Sequence, residues 1–303
     1  MKVPSIPTSS GGPKFSKLIQ GFWRLSDWNQ SVKDTVAVLE ACMERGITTF
    51  DHADIYGGYT CETLFGKAFA ESGIDREAVQ IVTKCGIKLV TPNRPQHHFH
   101  GYDTTKAHIV QSVENSLTAL QTHYIDVLLI HRPDPLMDAE EVADAFKTLQ
   151  NCGKVLYFGV SNFLPSQMEL LQSRLDLPLV TNQIEYSVLN MENQDNGVID
   201  LCQQRGIKPM AWSPFAGGRL FTEESEQAVH VRNTLQRIGQ ELGGASIDQV
   251  ALAFILKHPV DFLPVLGTGQ IERIHRATES LRLTLSHDQW FQIWTASQGH
   301  EVP

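Results

Sequence analysis

The chain has 303 residues, 42% of them apolar and 19% charged, and its 25 lysines and arginines against 34 aspartates and glutamates leave a net charge of −9. That composition excludes intrinsic disorder, and the acidic balance excludes nucleic acid as the main partner, because phosphate backbones require a basic surface. A local basic pocket for one small anion stays open.

In chain order, Met1 to Phe15 is rich in Pro, Ser, Thr and Gly without a hydrophobic block, and reads as a short cap segment, not a signal peptide. Lys17–Trp23 is a short apolar run, and Ser31–Arg45 carries apolar residues at helical spacing up to Gly46. Thr48–Ala53 predicts a strand, Glu62–Ala70 a helix, Val79–Cys85 a strand, Thr105–Leu120 a helix and Ile125–His131 a strand. Ala139–Asn151 follows as a helix whose acidic start, Asp138–Glu141, suits the positive end of the helix dipole. Val155–Val160 and Leu179–Glu185 read as strands around the helix Pro165–Arg174, and Val198–Gln204 as a helix before the strand Lys208–Trp212. Glu226–Leu242 and Ile247–Lys257 are helical, the second with Ser246 as its cap. Phe262–Leu266 is the last strand, followed by the helices Ile271–Leu281 and Ser286–Ala296.

This is strand-then-helix alternation with two helices to spare. Strands apolar at consecutive positions belong in a parallel sheet covered on both faces. No GxGxxG occurs, so a closed (β/α)8 TIM barrel is expected over 1–303 as a single domain, in preference to an open doubly wound sheet. No apolar run approaches roughly 18 residues, so no membrane segment is expected. Five cysteines without CxxC spacing argue against a zinc framework or a disulfide scaffold and for reduced thiols in a cytoplasmic protein.

A barrel does its chemistry at the C-terminal ends of its strands. Asp51, Tyr56, Lys84, His131, Asn162, Gln183 and Trp212 all fall at or just beyond such ends. An Asp51–Lys84 pair beneath the Tyr56 hydroxyl would place an ammonium near a phenol, lowering its pKa from about 10. Such a phenol can protonate a carbonyl oxygen near neutral pH. His131, on the next strand, would orient that oxygen. This is equipment for reducing a carbonyl once a hydride source is present.

The stretches DHADIYGG (51–58), VTKCGI (82–87), LLIHRPD (128–134), GVSNF (159–163), NQIEYS (182–187) and WSPFAGGRLF (212–221) together resemble an aldo-keto reductase. GGRLF and the GTGQIER segment (267–273) resemble the bacterial branch related to potassium-channel β subunits. The resemblance implies NADPH bound extended at the barrel mouth and hydride transfer to an aldehyde or ketone. It implies a catalytic tetrad of Asp51, Tyr56, Lys84 and His131. Ser161, Asn162 and Gln183 match the positions that hold the nicotinamide carboxamide, and Trp212 the ring stacked on the nicotinamide. Ser213, Pro214, Gly218, Arg219 and Leu220 match the segment over the pyrophosphate. Gly21, Trp23 and Arg24 match the first strand end, where cofactor and substrate are touched. At the adenosine end Gly267 stands where relatives often carry Lys, and Arg276-Ala277 where they carry Glu-Asn. Thr268, Gly269, Arg273 and Arg276 remain to bind a 2′-phosphate, the two arginines three apart on one predicted helix face.

The substrate pocket is expected from Trp23, Tyr56, His131, Trp28 and Phe99, with Phe22 and Phe215 as packing. Cys85, next to Lys84, should point the other way along its strand as an inert thiol. His97, His98 and His100 lack the i, i+4 spacing or carboxylates of a zinc site, leaving a solvated loop or a substrate contact. No metal is expected, and a monomer is compatible with the sequence. A second function fits the same motifs: a nucleotide-binding regulatory subunit that senses redox state for a partner protein with little turnover.

Overall fold

The computed structural model describes residues 2–302. A parallel barrel closes in the order β3 (Ile19–Gly21), β4 (Thr49–Asp51), β5 (Gln80–Cys85), β8 (Ile125–Ile130), β9 (Val155–Ser161), β10 (Leu179–Glu185), β11 (Met210–Trp212) and β12 (Leu263–Leu266). Its helices are α1 (Val32–Arg45), α2 (Cys61–Ser72), α3 (Lys106–Leu120), α4 (Ala139–Asn151), α5 (Pro165–Gln172) and α6 (Val198–Arg205). After β11 come α7 (Arg219–Thr222), α8 (Glu226–Glu241) and α9 (Ile247–Leu256); α10 (Ile271–Glu279) and α11 (His287–Gln298) end the chain. The expected barrel is therefore found, and α8 packs with α11 as the additional pair. No helix among the described residues is long and apolar enough to cross a membrane.

The helices begin where the sequence offers caps. Ser31 accepts from the Asp34 N–H while Asp34 accepts from Ser31, and Gly46, at φ 78°, ends α1. Asp138 accepts from Glu140 and Glu141 at the start of α4. Two features escape the periodicity because they are too short to alternate. One is α7, inside the segment read as a loop; the other is a pair of hairpins, β1 (Ser5–Pro7) with β2 (Lys14–Ser16) and β6 (Ile87–Lys88) with β7 (Gly101–Tyr102).

The β1–β2 hairpin is the expected cap segment. Phe15, fully buried, joins Ile19, Val82, Val127, Leu129, Val180 and Met210 inside the barrel. Thr8 O accepts from Lys208 N at 2.7 Å, just before β11, so the hairpin covers the bottom of the barrel. That leaves the top open. Along β5, Val82 and Lys84 share the inner face while Ile81 packs outward against α1 and α2 residues. Strand alternation thus turns Lys84 inward at the open end.

Candidate active site

Lys84 is fully buried and Asp51 is 3% exposed. The Lys84 Nζ donates to Asp51 Oδ1 at 2.8 Å and Oδ2 at 2.9 Å, to His52 O at 2.6 Å and to the Tyr56 hydroxyl at 3.2 Å. Three ammonium protons serve four acceptors, so the lysine is locked in place. Asp51 has a second partner, because Gln183 Nε2 reaches across from β10 to its Oδ1 at 2.8 Å. Tyr56 stands edge-on to His131 at 5.8 Å between centroids, and Trp23 lies 6.5 Å from it. The four tetrad positions and the Trp23 wall therefore meet at one opening.

The electrostatics correct one expectation. Tyr56 is not brought below the ordinary tyrosine range; burial pushes its phenol well above, and the Asp51 carboxylate adds to this. The nearby ammonium opposes that rise, since it favours phenolate. The resting group is a protonated phenol, the state a proton donor needs. Burial also holds Lys84 below its usual range against the pull of Asp51. His131 is held well below the usual imidazole range by burial, then by the charges of Lys84 and Arg132, so its ring is neutral. Its Nδ1 is buried without a partner.

Around this centre a second network is fixed. Asn162 adopts a left-handed conformation (φ 60°), donating to Ser161 Oγ at 2.8 Å and His131 O at 3.3 Å. Its Oδ1 accepts from Trp212 Nε1 at 3.0 Å, and Ser161 Oγ donates to Gln183 O at 2.9 Å. Arg132 lies 5.6 Å from the Trp212 ring centroid. Indole, amide and hydroxyl are thus oriented by one another.

The rim residues divide. Arg24 stacks on Trp23 and donates to Gly217 O at 2.9 Å, tying the first strand end to the Ser213–Gly218 segment. Gly218 and Gly267 leave bare backbone, with no atom within 4 Å of an added Cβ. Pro214 and Leu220 are buried, so neither presents its side chain at the mouth. Arg219 pairs with Glu223 at 3.2 Å. Gly21 is required by packing, since a Cβ there would stand 2.8 Å from Leu266 O. Thr268 Oγ1 accepts from Gln270 N at 3.1 Å.

Three positions depart from expectation. Trp28 is not a wall beside Tyr56: it packs on Phe22, and a Cβ on Gly269 would lie 2.6 Å from its ring, which sets it beside the β12–α10 turn. Phe99 is 68% exposed on the Leu89–His100 loop, with Lys88 Nζ 5.9 Å from its ring. Arg276 does not stand free beside Arg273. Its Nε is held by Asp248 at 2.7 Å, whereas Arg273, exposed like Arg276, makes no ion pair among the described residues.

Sequence reasoning missed the groups behind the tetrad. His52, fully buried between Phe22 and Phe65, has neither ring nitrogen hydrogen-bonded. Asp54 and Glu62 are buried carboxyls, and Glu62 accepts from Thr83 Oγ1 at 2.6 Å. The signal was present as a second aspartate three residues after Asp51 and an acid in the first turn of the next helix. His97, taken above as a solvated or substrate-facing residue, bonds to Leu89 O at 3.0 Å and lies edge-on to Tyr59.

Comparison with known proteins agrees with this geometry. The Aldo/keto reductase family model matches residues 17–297. An uncharacterised oxidoreductase of Bacillus subtilis, YcsN, is 53% identical over 290 residues, covering 96% of this chain and 97% of its own. A 6-dehydroglucose reductase of Agrobacterium fabrum is 44% identical, covering 95% and 96%. The crystal structure of a thermostable aldo-keto reductase, Tm1743, in complex with the inhibitor epalrestat superimposes with a TM-score of 0.81 at 27% identity, covering 97% of this chain and 99% of that one. With its barrel closed and its motifs gathered at one mouth, the chain belongs to the aldo/keto reductase family of oxidoreductases.

Proposed function

We propose that this protein reduces aldehydes or ketones to alcohols with NADPH, Tyr56 acting as the general acid. What supports this is the meeting of a buried Asp51–Lys84 pair, a protonated Tyr56 and a neutral His131 at the barrel mouth. The mouth also fits a dinucleotide. Trp212 offers an oriented ring beside the Asn162 amide, Gly218 and Gly267 leave uncovered backbone, and Arg219 and Arg273 supply cations. NADPH, when bound there, supplies the hydride.

The protein's own part is to hold the carbonyl and move one proton. His131, uncharged, accepts or donates a hydrogen bond without competing for that proton. Tyr56 transfers its hydroxyl proton to the substrate oxygen, and the Lys84 ammonium at 3.2 Å stabilises the phenolate left behind. Asp51 and Gln183 keep Lys84 aimed through the cycle. Similarity to the 6-dehydroglucose reductase of Agrobacterium favours a sugar-derived carbonyl as substrate. Five free cysteines accord with a cytoplasmic setting.

Steady-state NADPH oxidation with a panel of sugar aldehydes, simple aldehydes and ketones tests the proposal. Turnover that disappears in Tyr56→Phe is the expected result. Tight NADPH binding with negligible turnover across the panel would overturn it in favour of a redox-sensing subunit.

A further inference from the structure

Beside the tetrad stands a cation without a partner. Arg132 follows His131 directly beyond the end of β8, and its guanidinium lies 5.6 Å from the Trp212 ring centroid. It is half-buried, yet no described residue forms an ion pair or a side-chain hydrogen bond with it. The other half-buried arginines are all engaged: Arg45 with Glu279, Arg76 with Asp126, Arg94 with Asn93 O and Arg232 with Glu224.

The acids within reach are spent or stand apart. Asp134, two residues on, accepts from Thr104 Oγ1 at 2.9 Å and from Leu136 N at 2.8 Å. Asp51 is matched by Lys84, and Glu223 by Arg219. Glu185, beside Trp212 in the strand register, feels the charges of Arg219 and Arg132 without pairing with either. Arg132 also bears on the reacting groups. Its charge helps to hold the His131 imidazole low and opposes the rise of the Tyr56 phenol.

A planar guanidinium with free N–H donors matches a carboxylate, which accepts two of them at once. A neutral aldehyde that displaces water from the mouth leaves that fork unfilled. A phosphate dianion would bring a second negative charge toward Glu185, which Arg132 alone does not offset. We propose that Arg132 selects substrates bearing one carboxylate, so that the carbonyl reduction proposed above, on which this rests, acts on aldehyde acids such as a hexuronate. The carbonyl oxygen then sits at Tyr56 and His131, and the carboxylate on Arg132. The carbonyl carbon takes the hydride of NADPH and the oxygen takes the Tyr56 proton. The product is a hydroxy acid whose carboxylate is unchanged.

Succinic semialdehyde and butanal differ only by a carboxylate in place of a methyl group. The wild type should favour the acid about tenfold or more in kcat/KM, mostly through KM, because the charge-assisted pair is made alike in ground and transition states. Glucuronate should lead glucose in the same sense. Arg132→Met should bring both ratios near one, and Arg132→Lys, which keeps the charge without the fork, should leave them between. Each ratio is taken within one enzyme, so a general loss of activity cancels. If Arg132→Met fails to fold, Arg132→Gln carries the same comparison.

Binding is read apart from turnover by calorimetric titration of the NADPH-saturated chain with 4-hydroxybutyrate, which NADPH cannot reduce further. The wild type should bind it about tenfold or more tightly than Arg132→Met. Ratios near one in the wild type, ratios unchanged in Arg132→Met, or a preference for glucose over glucuronate would overturn the proposal. Turnover of neither aldehyde would count against the reduction itself. The titration then decides on Arg132, and equal affinity of the two proteins for 4-hydroxybutyrate would overturn its role.

Discussion

In the proposed reaction Tyr56 and Lys84 act as a unit. Removing only the hydroxyl, in Tyr56→Phe, should lower kcat about 10²–10⁴-fold with NADPH affinity nearly intact, as for loss of one general acid. A variant keeping more than about a tenth of wild-type kcat in stopped-flow and steady-state assays would exclude Tyr56 as donor. For Lys84→Met the sign follows from its charge. Burial, with the Asp51 carboxylate, holds the Tyr56 phenol high, and an ammonium 3.2 Å from its hydroxyl favours the phenolate. Without it the basic limb of the reduction profile should move to higher pH or vanish, and kcat should fall because the phenolate loses its stabilisation. An unchanged pH–rate profile would remove Lys84 from the mechanism. Single losses at Asp51, Lys84 and Tyr56 should not add, because each disables the same device.

At the scale of elements, the proposed coenzyme choice falls to α10. Asp248, near the start of α9, holds Arg276 by its Nε, so the exposed Arg273 is the freer cation for a 2′-phosphate. A charge-assisted bond contributes roughly 1.5–3 kcal/mol. Arg273→Ala should therefore raise KM for NADPH about tenfold while sparing KM for NADH and kcat, and Arg276→Ala should do less. Equal weakening toward both coenzymes in parallel kinetics would mean that neither arginine reads the phosphate. The α2–α3 contact rests on a different constraint. A Cβ on Gly66 would stand 2.2 Å from Ala119 O, and the obstacle is backbone that cannot rotate aside. Gly66→Ala should destabilise the fold by about 1–3 kcal/mol, read as an earlier midpoint in urea unfolding. An unchanged midpoint would show that these helices separate freely.

For the whole molecule, the bottom of the barrel is sealed by Phe15 and its hairpin, and the open top gathers Asp51, Tyr56, Lys84 and His131. Buried ionisable groups then make global stability depend on pH. Burial raises Glu62 to about 7 from its ordinary 4.5, so its contribution is fully present below 4.5 and is lost as pH rises through 7. The magnitude is about 3 kcal/mol at full ionisation. Glu62→Gln can still accept from Thr83 and never ionises, so its unfolding free energy should change less between pH 5 and 7 than the wild type's. Identical pH slopes in denaturant titrations would show that Glu62 does not ionise across that range.

The order of strands and helices was legible in the chain because periodicity and caps are local: Ser31, Asp138 and Gly46 mark their ends without reference to anything distant. The meeting of Asp51, Tyr56, Lys84 and His131 at one opening was legible too, since alternation alone turns Lys84 inward and a parallel barrel gathers strand ends at one mouth. Other features depended on partners far along the chain. Arg276 meets Asp248 across 28 residues, and Trp28 meets Gly269, a pairing no local pattern encodes. The phenol of Tyr56 was expected low because sequence reveals its charged neighbours but not how deeply they are buried. Desolvation belongs to the closed barrel, and it reversed the direction of the shift.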